Sequence, residues 1–285
     1  MRIREKYAIR DRIKIFLILL GLLVLIWNLA NMVHKRANTN KTATIESLLK
    51  TALEPVGSTM YIWGGGWDDA DNEAGGTSTR IGLSPKWKVF AKQQDADYDF
   101  EKHRFERENG LDCSGYVGWV LYNTFETEAG QPGYVTTSTD LAASLANRGW
   151  GKLIHNPKTF LPGDIVSMEG HVWIALGTCE DGSVLLVHSS PPGVSVCGTP
   201  VPGQMEKAGN AELEKSKAII LAEDYMTFNH AKWQEKYPNR SVGEHYVEDV
   251  VVFRWSKNIM SDAEQMQTLS AEEILERISG KSETS

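Results

Sequence analysis

Residues 163–190 read GDIVSMEGHVWIALGTCEDGSVLLVHSS. Two turn signals, Glu169-Gly170 and Asp181-Gly182, cut this stretch into three β-rich runs at 164–168, 171–177 and 184–190. Turns this short impose antiparallel pairing, in which opposed residue numbers sum to a constant. An odd sum for the second and third runs places His171, Trp173 and Ala175 on one face with Val184, Leu186 and His188. A sum of 359 sets the two histidines directly opposite. A slip of two residues makes them diagonal neighbours, still within about 8 Å at Cβ. Either histidine alone reads most simply as a structural residue at a strand end. Together they are a base and a group able to orient it through its second ring nitrogen.

Upstream, LDCSGYVGWVLY at 111–122 has helical spacing, with Val117, Val120, Leu121 and Phe125 recurring on one side. Asp112 is the natural N-cap and puts Cys113 in the first turn. Unpaired N–H groups at a helix start favour thiolate over thiol, the form that attacks carbonyls. The plain alternative is a buried cysteine acting as a small hydrophobe. One Cys and two His could instead hold zinc. Their separations of 58 and 17 residues do not match the close pairs of structural zinc sites; spacing leaves a catalytic zinc site open, ranked below the cysteine mechanism. Cys179 and Cys197 could pair if their strands are adjacent, or stay as inert thiols.

The rest of the body is legible in pieces. IESLLKTAL at 45–53 is a short amphipathic helix closed by Pro55 and Gly57, and a second helix covers 139–148. YIWGGG at 61–66 ends in glycines that allow positive φ or the close approach of another segment. Residues 247–255 read as a last strand. Segments 67–110 and 198–245 look like insertions, the first polar and solvated. Ser270 and Glu273 form a capping-box pattern in an acidic helical tail, 257–285. A helix carrying one motif and a sheet carrying the others indicate an α+β domain over 45–256.

Residues 1–33 carry six Lys/Arg and two acids, which leaves −11 on the remainder of a chain whose net charge is −7. A body that acidic repels phosphate backbones, so no nucleic-acid partner is expected. Residues 15–33 hold no charge, close to the length of one membrane-spanning helix, behind a basic flank. The expectation is a single-pass anchor in the cell membrane over 1–33, a polar linker at 34–44, and an extracytoplasmic body. A cleaved signal peptide is the alternative, but no clear cleavage site follows.

LDCSGYVGWVLY, GDIVSMEGHVWIALG, LLVHSSPPGVSV (185–196) and YIWGGG together resemble the NlpC family of cell-wall cysteine endopeptidases. The resemblance implies a papain-like α+β fold in which the nucleophile helix packs on an antiparallel sheet, here preceded by a single N-terminal transmembrane helix. It implies Cys113 as nucleophile, His171 as base and His188 as its orienter. The Cys113 N–H and the Tyr61 hydroxyl would stabilise the oxyanion, and Asp112 and Ser114 would line the subsite for the stem peptide's amino end. The implied reaction is cleavage of the D-γ-glutamyl to diamino acid bond of peptidoglycan stem peptides, with no metal or organic cofactor. A longer gap than usual separates Gly66 from Asp112, and we expect segment 67–110 to cover or extend the groove. A non-catalytic wall-binding scaffold, or an amidase or acyltransferase using the same residues, are the competing readings.

Overall fold

The computed structural model describes residues 43–67, 76–203 and 214–279. In chain order the main elements are α1 (Ile45–Leu53), β1 (Met60–Tyr61), α2 (Pro85–Gln93), β2 (Gly110–Leu111), α3 (Cys113–Phe125), α4 (Leu141–Asn147) and β3 (Gly151–His155). Then follow β4 (Ile165–Met168), β5 (His171–Thr178), β6 (Val184–Ser190), β7 (Gly193–Gly198), α5 (Lys217–Asn229), α6 (Ala231–Lys236), β8 (Val251–Trp255) and α7 (Ala271–Ser279). The eight strands of the described residues join one curled sheet in the order β2-β1-β7-β6-β5-β4-β8-β3.

The expected fold is corrected on two points. The sheet is mixed, because β1 and β2 run parallel, with Met60 beside Gly110 and Tyr61 beside Leu111. Parallel neighbours need a long crossover, and segment 62–109 supplies it. Gly110 makes the approach possible, since a Cβ there would sit 2.1 Å from the Met60 carbonyl oxygen. The second correction concerns the transmembrane helix and the single-pass placement drawn from it. No helix among the described residues is long and apolar enough to cross a membrane. The longest, α3 and α5, have 13 residues each, and at 1.5 Å per residue they reach about 20 Å of the roughly 30 Å required. Segment 15–33, on which that expectation fell, lies outside the described residues.

Strands β4, β5 and β6 bury both faces. Val172, Ile174 and Leu176 point to the helices, where α1, α3, α4, α5 and α7 contribute to the larger core. Trp173 and Ala175 point the other way, to a smaller core with Val166, Leu186, Val252 and Tyr246. Helix α3 is apolar on nearly every side and is buried from Cys113 to Tyr122, as a helix enclosed by other elements should be. Segment 67–110 is not wholly solvated: it holds α2, whose Trp87 is buried and meets Trp119 of α3 edge to face at 5.8 Å. In the tail, Ser270 and Glu273 cap α7 reciprocally, at 2.7 Å and 3.2 Å.

β4 and β8 are tied by a fork of charge. Arg254 donates to buried Asp164 from Nε at 2.9 Å and from Nη2 at 2.6 Å, and Leu161 N–H adds a third donor at 2.8 Å. Burial pushes the Asp164 carboxyl up, and Arg254 pulls it back toward ionisation. Arg254→Ala would leave that carboxylate buried and unpaired, so the expected loss is about 3–5 kcal/mol in chemical denaturation. A loss below about 1 kcal/mol would show that the fork adds nothing a surface pair does not.

Candidate active site

The site begins where α3 meets the glycine-rich loop after β1. Asp112 caps the helix by accepting from Gly115 N–H at 2.7 Å and from the Ser114 hydroxyl at 3.0 Å. Its other oxygen accepts from Gly64 N–H at 3.2 Å, so one carboxylate holds both the helix and the loop. Trp67 Nε1–H donates to Ser114 Oγ at 3.0 Å. Asp112 and Ser114 thus form part of the cavity wall, but their polar atoms are largely engaged with each other and with the loop. Burial raises the Asp112 carboxyl to about 6, against the pull of the Gly115, Ser114 and Gly64 donors and of the nearby Trp67 N–H.

Cys113 follows directly and is 7% exposed. Backbone N–H groups of Ser114, Val172 and Cys113 itself act on its sulfur to favour the thiolate. Burial outweighs them, and with the neighbouring Asp112 carboxylate it pushes the thiol up to about 12. Desolvation of the charged form thus opposes the thiolate that the partial charge at the helix start favours.

Val172 is the residue beside His171, so helix start and strand start meet at this point. His171 Nε2 and His188 Nδ1 are 3.0 Å apart. Their strands pair with Ile174 opposite Val187 and Ala175 opposite Leu186, a sum of 361, before a bulge at Ala175–Gly177. The histidines are diagonal neighbours on one face. Among the described residues no hydrogen bond joins Cys113 to either ring. Tyr246 packs on both imidazoles, with ring centroids 5.3 Å from His171 and 5.6 Å from His188, and its hydroxyl is 3.4 Å from His188 Nδ1.

The pair is held neutral. Burial, then the His245 ring, lowers His171 to about 4. His188, 3% exposed, is lowered further by burial, by His171 and by Arg240. Arg240 is itself buried, with Nη2 on the Tyr237 carbonyl and with Nε and Nη1 lacking a partner. The folded state takes up protons at these rings less readily than the unfolded chain, whose imidazoles titrate near 6.5. Stability is then full above about pH 6.5 and is lost as pH falls toward 4. Urea midpoints measured from pH 7.5 to 4 should fall in that window, and by less in His188→Gln. An unchanged slope in the variant would remove His188 from the account.

A cavity of about 360 Å³ opens over Cys113. Tyr61, Trp63 and Gly64 line it from the β1 loop, Trp67, Phe105 and Arg107 from the expected insertion, and Gly170 from the β4–β5 turn. Tyr61 lies close enough to Cys113 and Asp112 for their charges to add to the burial that raises its phenol. Sequence reasoning missed Tyr246 and Arg240, which are brought in from beyond β7 with no local pattern to mark them. The aromatic density of 61–67 was a usable signal for Trp63 and Trp67. Cys179 and Cys197 are free thiols, and no group of three His, Cys, Asp or Glu among the described residues is placed to hold a metal ion. No protein-family model matches the chain, and neither does any curated protein or solved structure.

Proposed function

We propose that the chain is a cysteine endopeptidase of the NlpC type, cutting the D-γ-glutamyl to diamino acid bond in peptidoglycan stem peptides. The observation that carries this reading is the 3.0 Å contact of His171 Nε2 with His188 Nδ1, at a strand start whose Val172 N–H reaches the sulfur of Cys113, a residue that lines the cavity. A base must accept through one nitrogen while its other is held. With His171 donating from Nε2, its Nδ1 lone pair is left to accept the thiol proton. Sulfur then attacks the scissile carbonyl, and the imidazolium, steadied by His188, returns the proton to the leaving amine. Water hydrolyses the thioester by the same route in reverse. The backbone N–H groups around the sulfur, with the Tyr61 hydroxyl, are the donors for the oxyanion. No metal or organic cofactor enters the scheme.

The test is digestion of purified peptidoglycan by the full chain, with mass spectrometry of the products. Fragments bearing a new free amine on the diamino acid are expected. Release of intact stem peptides from the glycan would make it an amidase instead, and no release under any wall preparation would end the hydrolase reading.

A further inference from the structure

Two large aromatic side chains stand in solvent at the mouth of the cleft. Trp63 is 45% exposed and Phe105 is 59% exposed, and both line the cavity that contains Cys113. Phe105 is moreover held at φ 64, a left-handed conformation that a bulky side chain rarely adopts. Its N–H donates to the Trp63 carbonyl at 2.8 Å, so the two residues are locked to each other. The ring sits over Gly64, where a Cβ would lie 2.9 Å from Phe105 Cδ1. The Arg104 guanidinium carbon is 4.9 Å from the Trp63 ring centre and 5.8 Å from that of Phe105. The Arg107 guanidinium carbon is likewise 5.8 Å from the Phe105 ring centre. A left-handed backbone that holds a large apolar ring in water at the mouth of a cleft is a feature that gathers at binding surfaces.

We infer that Trp63 and Phe105, with Arg104 beside both, form a stacking platform for a sugar ring of the glycan strand that carries the stem peptide. This rests on the cell-wall reading above and deepens it, because the substrate becomes the intact polymer instead of released peptide. A pyranose presents an apolar C–H face and a rim of hydroxyl and acetamido oxygens. Flat aromatic rings match the face, and a guanidinium stacked beside them supplies fixed donors to the rim. Arg107 lines the cavity, Arg104 stands beside Trp63 paired with Glu101 at 3.1 Å, and stem peptides carry carboxylates. The platform and the sulfur share one cavity, so a peptide attached to the stacked sugar lies within reach of Cys113.

The experiment uses the full chain with Cys113→Ala, which separates binding from turnover, titrated calorimetrically with an N-acetylglucosamine tetrasaccharide and, separately, with a free stem tripeptide. The tetrasaccharide should bind, and Trp63→Ala or Phe105→Gly should each weaken it at least tenfold. Phe105→Gly also relieves the left-handed strain, so its thermal midpoint should equal or exceed that of its parent while sugar binding falls. A merely structural role would move both together. Sugar affinity unchanged in both variants overturns the platform. So does absent sugar binding where Trp63→Ala weakens the tripeptide, which makes the rings a peptide subsite. Stem-peptide cleavage by the unmutated chain without sugar binding sinks the platform alone. Sugar binding without cleavage of any wall substrate sinks the hydrolase reading and leaves the platform standing.

Discussion

Cys113→Ala is expected to lower the rate of stem-peptide cleavage by about 10⁴-fold or more, with His171→Ala close behind. Neither loss should add to the other, since nucleophile and base act in one step. The resting charges sharpen this expectation. Thiol and imidazole are both neutral near pH 7, the first pushed up to about 12 and the second down to about 4. His171 is then a competent acceptor at any pH above about 4, and the rate should fall only as pH drops through that value. Alkylation of Cys113 by iodoacetamide should be slow at pH 7 and rise about tenfold per pH unit. His188→Ala should cost less than His171→Ala, because it removes the group that fixes the base but spares the base. Fast alkylation at pH 7, unchanged between pH 6 and 9, would mean a preformed thiolate. Full activity in Cys113→Ala would place the nucleophile elsewhere.

The histidine pair was legible because hydrophobic alternation and two short turns constrain the register of β5 and β6 to a few choices. Which of those registers holds was not, since the bulge at Ala175–Gly177 changes the sum from 362 to 361 and so decides that the two histidines share a face. Helices α1 and α3 could be read from periodicity and caps. β1 and β2 could not: two residues each carry no period, and their parallel pairing is set by the length of segment 62–109 and by Gly110. The same holds for Tyr246 and Arg240, which reach His188 only after α5 and α6 have turned the chain back. The opposing pull on the charge of Cys113 is hidden from sequence for a related reason. A helix start is visible in sequence, whereas the burial that overrides its field belongs to the assembled core. The NlpC resemblance names a chemistry for these residues, and the kinetics above decide it.

Gly115→Ala is expected to disable the site without touching any reactive atom. Exchanging glycine for alanine within a helix ordinarily stabilises it by about 1 kcal/mol. Here a Cβ would lie 2.0 Å from the Gly65 carbonyl oxygen and 3.0 Å from Gly66 Cα. Both are backbone atoms and cannot swing aside. The loop is fixed from its own side, because Gly66 is at φ +93 and a Cβ there would meet Gly115 Cα at 2.6 Å. Asp112 binds the two pieces further, through Gly64 N–H and Gly115 N–H. The helix start must therefore move away from the loop, carrying Cys113 with it. Overpacking of this kind costs about 1–3 kcal/mol, and a displacement near 1 Å lowers rate by roughly 100-fold. The two readouts are a lowered thermal midpoint and a fall in kcat/KM with Cys113 still present and titratable. An alanine variant that melts at or above the wild-type temperature and cleaves normally would show that the glycine contact does not set the position of the sulfur.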